Sequence, residues 1–228
     1  MEPFNPSKGM LQFLGITLFT QAVTSLIAGS IFLGPFDSKE ITNTSMRIIS
    51  QSTAAAYTSI LLNIVTAVVI IMLGVAMYRL AGYKNKPMAD IALIMYIFEA
   101  ILLVVGQVFI FGLLEAAQLY IMSGDINLIT VGKILLTCRE FSGEIAMIPF
   151  GIGALLFYYL LLQAKILPKW LGVYGLITVP LILIGVPLMT FGVNLPFAFL
   201  IPYVPFEFFT GIYILIRYRN TKNIESIL

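Results

Sequence analysis

Four acidic side chains stand where acids are rare. Glu99 sits inside the apolar run from Ile91 to about Ala117. Glu207 sits inside VPFEFFTG, residues 204–211, just ahead of the apolar run IYILI at 212–216. Glu140 and Glu144 are four residues apart, so they share a helix face, and Arg139 beside them can neutralise one of the pair. Buried carboxyl groups of this kind can exchange a proton or attract a cation. The chain contains no histidine, which removes His-ligated zinc or iron, Ser-His and Cys-His nucleophile pairs and the H-E-x-x-H pattern together. A single cysteine, Cys138, leaves no intrachain disulfide. The sequence therefore assigns no catalytic residue, no metal and no cofactor.

These acids have to be held by apolar helices. Of 228 residues, 60% are hydrophobic and only 11% charged, against about 25% charged in soluble domains. The mean hydropathy is +1.00, that of a membrane protein. A net charge of +2 and the absence of a basic patch with interleaved aromatics exclude a nucleic-acid partner. Spanning a bilayer takes about 20 mostly apolar residues. Six stretches qualify: residues 10–33, 54–78, 91–117, 142–162, 170–191 and 196–216. The third can continue to Met122, and the fourth has a polar lead-in from Gly132. The fold class expected is all-α: one integral-membrane domain over residues 1–228, a bundle of six transmembrane helices. The first run is longer than the 7–15 residues of a signal-peptide core, so it reads as an uncleaved helix.

Lys and Arg set the orientation. Lys8, Arg79, Lys84, Lys86, Lys165, Lys169, Arg217, Arg219 and Lys222 fall on one side, and Lys39, Arg47, Lys133 and Arg139 on the other. Both termini are expected in the cytoplasm of a cell whose inner membrane holds the chain. Depth follows from a rise of about 1.5 Å per residue. Glu207, ten residues before Arg217, lies roughly 15 Å in, and Glu99, nine after Asp90, roughly 13 Å in. The two carboxyl groups thus share a level on different helices. Gln21, Asn63 and Gln107 fall about 20–25 Å from their cytoplasmic ends and join them as a ligand or proton site. Arg139, Glu140 and Glu144 belong to an outer vestibule. On the first helix Thr17, Gln21 and Thr24 share a face suited to interhelical hydrogen bonds.

Helix breakers and small residues add detail. Pro149 should kink the fourth span, Pro180 and Pro187 should interrupt the fifth, and Pro196, Pro202 and Pro205 crowd the sixth. A break at 202–205 would leave Glu207 in the first turn of a new half-helix, where the dipole favours a carboxylate. Gly143, Gly151, Gly153 and Ala154 read as close helix packing.

The segment GALLFYYLLL at 153–162, followed by ILPKWLGVYG at 166–175, resembles the signature of a known family. There a tyrosine-rich helix end meets a Leu-Pro-Arg-Trp-Leu turn. PFEFFTGIY at 205–213 with Leu215 is similar to the family's closing Phe-Glu…Gly-Leu-Trp pattern. Lys169 replaces the usual arginine and Tyr213 the usual tryptophan. The family is a bacterial polytopic membrane group catalogued only as a domain of unknown function, number 4386 in that series. The resemblance covers residues 153–217 and implies that the Phe206-Glu207 pair and the Pro168-Lys169-Trp170 turn belong to a family pattern. It implies no reaction.

Three functions fit these residues. A small transporter or ligand-binding protein would use Glu99 and Glu207 to exchange protons or attract a small cation. A non-enzymatic accessory or sensor subunit would bind a membrane partner or a lipid. An intramembrane enzyme acting on lipid would rest on Glu140 and Glu144 with a divalent cation, although no D-D-x-x-D-like cluster is present.

Overall fold

The computed structural model describes residues 7–31, 41–199 and 201–218. Lys39, Arg219 and Lys222 of the charge count, and the end of the first predicted span, lie outside them. Every regular element among the described residues is helical. In chain order they are α1 (Lys8–Ile31), α2 (Asn43–Gln51), α3 (Thr53–Ala81), α4 (Lys86–Ser123), α5 (Asn127–Gln163), α6 (Lys169–Thr190) and α7 (Val204–Arg217). Five of them, α1 and α3 to α6, are long and apolar enough to cross a bilayer. Leu61, Val108 and Ile177 are 63%, 64% and 63% exposed on these helices. Apolar surface in that amount calls for lipid rather than water. The chain is a multi-pass membrane protein.

The expected sixth span is not one helix. Two single 3₁₀ turns, Phe197–Phe199 and Ile201–Tyr203, come before α7. The cause lies in Pro196, Pro202 and Pro205, which lack the N–H that would continue a helical ladder. The 14 residues of α7 rise about 21 Å, short of the roughly 30 Å hydrocarbon core. The other prolines behave differently. Pro180 and Pro187 stay inside a continuous α6, so the expected interruption of that span does not occur, and Pro149 stays inside α5. Membrane helices tolerate proline where neighbours satisfy the freed carbonyls.

Helices α4 and α5 are longer than the apolar count suggests, at 38 and 37 residues. They are joined by a tight turn in which Gly124 takes φ +70° and Asp125 accepts the Asn127 backbone N–H at 3.0 Å. At 1.5 Å per residue each is roughly 57 Å long. No apolar run announces the 9-residue α2. A reciprocal cap starts it: the Ser45 N–H donates to the Thr42 hydroxyl, and the Thr42 N–H donates to the Ser45 hydroxyl, both at 3.3 Å.

The helices fall into two compact units, with the boundaries inside α1, α3, α4 and α5. Among the described residues the first comprises 7–22, 69–98, 147–199 and 201–218, the second 23–31, 41–68 and 99–146. In the second, Met46 and Ile49 of α2 pack with Ile110, Leu113, Leu114 and Leu136 of α4 and α5. Polar bonds tie helices together there. The Thr66 hydroxyl donates to the Thr24 hydroxyl at 2.8 Å, and Ser142 donates to the Leu102 carbonyl at 2.8 Å. Thr24 thus takes the interhelical role expected of its face.

Small residues set the approaches in the first unit. A Cβ on Gly151 would lie 2.7 Å from Leu183 Cβ of α6, and one on Gly153 would lie 2.6 Å from the Tyr96 ring. A Cβ on Gly211 would lie 3.0 Å from the Phe19 backbone nitrogen, so α1 and α7 approach backbone to backbone. Gly143, expected to pack closely, does not. A Cβ there would meet nothing within 4 Å among the described residues, so it makes no close contact with the described helices.

Candidate functional site

The start of α7 organises the buried polar chemistry of the first unit. The proline break ends the 3₁₀ turn at Tyr203 and lets α7 begin with Pro205 in its first turn, a position where the missing N–H costs nothing. Glu207 follows in that same turn. The partly positive helix end favours a negative charge there. Glu207 is only 8% exposed.

Two neutral groups hold the carboxyl. The Tyr203 hydroxyl, one turn back, donates to Glu207 Oε1 at 2.6 Å. The Gln21 side chain of α1 also hydrogen-bonds it. Around them stands an aromatic wall. Phe206, fully buried, meets the Tyr158 ring edge-on at 4.8 Å, while Tyr203 meets Phe150 at 5.4 Å. The Tyr158 and Tyr96 hydroxyls lie within electrostatic reach of Tyr203. One turn along α7, the Thr210 hydroxyl is fully buried with no hydrogen-bond partner among the described residues. An unmet buried hydroxyl beside a buried carboxyl is an arrangement that asks for a ligand or an ordered water.

The predicted ligand-site residues divide between the units. Glu207 and Gln21 are brought together in the first. Glu99, Gln107 and Asn63 belong to the second, and all three are buried. The Asn63 amide donates to the Ser59 carbonyl at 2.9 Å, and the Gln107 amide to the Leu103 carbonyl at 3.0 Å, each one turn back on its own helix. Gln107 Oε1 is buried without a hydrogen-bond partner among the described residues. Arg139, Glu140 and Glu144 are half-buried on α5 in the second unit, and Arg139 interacts with the charge of Glu140, as their adjacency suggests. Among the described residues no group of three acidic or cysteine side chains is placed to hold a metal ion.

Sequence reasoning missed Tyr203, Tyr158 and Tyr96. The signal for Tyr203 was available: it stands four residues before Glu207, the spacing of helical neighbours. In an apolar run a tyrosine reads as part of the grease, and its hydroxyl is overlooked.

Neither a curated protein nor a solved structure matches the chain. The family whose description is "Domain of unknown function (DUF4386)" matches residues 13–217, a stretch that holds the α7 start, its Tyr203–Glu207 bond and the Pro168-Lys169-Trp170 turn. The chain therefore belongs to that family of proteins of unknown function.

Proposed function

We propose that this protein is a small transporter or ligand-binding protein of a bacterial inner membrane, with both termini cytoplasmic, and that Glu207 carries the ligand or the proton. The observation that supports this most is the buried carboxyl at the start of a half-helix, held among the described residues by the neutral Tyr203 and Gln21 side chains named above. Discontinuous helices whose ends face into the protein are a common way to build a substrate site in transporters. An intramembrane carboxyl is costly to insert and is kept where it works. The unmet Thr210 hydroxyl supplies a further polar group on the same helix.

A carboxyl with neutral partners can do two things chemically. It can take up and release a proton without breaking an ion pair, or it can give its charge to an incoming cation. Tyr203 stays bonded in either state, since a phenol can donate to a carboxylate or accept from a carboxylic acid. Glu99 is the second candidate; Asn63 and Gln107, whose carbonyl oxygen is unmet among the described residues, belong to the same unit. Arg139, Glu140 and Glu144 would form the outer polar entry.

Proteoliposomes test this directly. Uptake of a lipophilic cation such as tetraphenylphosphonium, or proton flux, should be lost in Glu207→Gln and reduced in Glu99→Gln. Flux that is the same in wild type and both variants would rule out the carboxyl mechanism.

A further inference from the structure

A groove of about 510 Å³ runs between the first turns of α6 and the length of α7. Trp170 and Tyr174 form one wall, and Phe206, Phe209, Ile212 and Tyr213 the other. Trp170 is 66% exposed and Phe209 62% exposed, so the groove opens outward. Both walls belong to the first unit. The slot is apolar and rich in aromatic rings, the residue types that gather at the boundary of a bilayer.

Cations collect at one end of it. Lys169 directly precedes Trp170. Arg217 stands one helical turn beyond Tyr213, donates to its hydroxyl, and lies 5.6 Å from the centre of its ring and 5.4 Å from that of Tyr218. Those contacts hold an otherwise flexible guanidinium at the end of the wall. Tyr218 then donates to the Ile166 carbonyl at 3.4 Å. Ile166 lies in the turn between Lys165 and Lys169, so the end of α7 meets the start of α6. Positive charge from both chain segments is thereby gathered where the apolar slot ends.

We propose that this groove seats an acyl chain of an anionic phospholipid whose phosphate is met by Arg217 and Lys169. An apolar slot alone would accept any lipid, or a neighbouring helix. The cations narrow the choice, because basic clusters beside membrane helices recognise anionic headgroups. A neighbouring apolar helix would bring them no counter-charge. Glu207 takes no part, so this inference stands or falls separately from the transport reading.

Trp170 is the only tryptophan in the chain and lines the groove, so it reports on the occupant. Purified full-length protein is reconstituted in phosphatidylcholine vesicles carrying a low, equal mole fraction of either brominated phosphatidylglycerol or brominated phosphatidylcholine. Brominated acyl chains quench tryptophan on contact. Wild type should be quenched more strongly by the glycerol lipid, and added salt should weaken that preference. Lys169→Gln/Arg217→Gln should lose it, by roughly 25-fold in relative affinity for two surface cations. Lys133→Gln, a cation of the second unit, should keep it. Equal quenching by both lipids in wild type would overturn the proposal. So would a preference that survives in the double variant. A Trp170 that neither lipid quenches would mean that another polypeptide covers the groove, and the proposal would fail. Circular dichroism and monodispersity of the double variant separate lost recognition from lost folding. Should that variant fail to fold, Lys169→Gln and Arg217→Gln singly should each weaken the preference, and a preference unchanged in both would overturn the proposal.

Discussion

Gly143→Ala and Gly151→Ala put the same methyl group on the same helix, and their effects should have opposite signs. At Gly151 the new Cβ would lie 2.7 Å from Leu183 Cβ, an atom fixed to the backbone of α6. Carbon atoms rest at about 3.5–4.0 Å, so the two helices would have to part by roughly 1 Å. Forced overpacking of this kind costs about 1–3 kcal/mol. Alanine recovers about 1 kcal/mol of helix propensity over glycine, which leaves a net loss of about 0–2 kcal/mol. At Gly143 nothing among the described residues lies within 4 Å, so only the propensity gain acts. The two variants should therefore differ by the whole overpacking cost. Thermal unfolding in mild detergent, followed by Trp170 fluorescence, measures this. For a chain of this size each kcal/mol moves Tm by roughly 2–4 °C. Gly143→Ala should melt above Gly151→Ala by several degrees. Equal melting temperatures, or the reverse order, would refute the close α5–α6 contact at Gly151.

Three further outcomes are expected. Tyr203→Phe removes the donor at 2.6 Å from Glu207 and should destabilise the protein by about 1–3 kcal/mol in a detergent melt, whereas Tyr159→Phe, on an exposed ring, should change little. Thr66→Val deletes the bond to Thr24 and should cost about 0.6 kcal/mol, the mean for such bonds within membranes; a loss above about 2 kcal/mol would mean that the hydroxyl does more than join two helices. In a Cys138→Ser background, Asp125→Cys sits in the exposed α4–α5 turn and should react with an impermeant maleimide added outside intact cells. Labelling only after lysis would reverse the proposed orientation.

The sequence made some features legible because one physical cause dominates each. Long apolar runs have to be helices in lipid, since no water is there to satisfy the backbone. That reasoning identifies α1 and α3 to α6. The prolines at 196, 202 and 205 marked a break, and the break put Glu207 in a first helical turn as their spacing suggested. Other features depend on which neighbour a residue meets, and periodicity carries no such information. Gly143 and Gly151 look alike in the chain, yet only Gly151 faces a neighbouring helix closely. α2 is short and polar, and its core contacts through Met46 and Ile49 are formed with residues distant in the chain. The bond from Gln21 to Glu207 joins α1 to α7, a pairing that no local pattern announces.

The length of α4 has a practical consequence. A helix of roughly 57 Å tilted by as much as 40° still reaches about 44 Å along the bilayer normal, beyond the roughly 30 Å of oily interior. α5 is nearly as long, and α2 packs against both. At the mean tilt of about 20° α4 reaches about 54 Å, past the roughly 40–45 Å that includes the headgroups, so the protein should offer a folded epitope in the aqueous phase. A conformation-specific nanobody raised against α2 and the Gly124 turn could grip the molecule as a fiducial for imaging, without touching the lipid-facing surface.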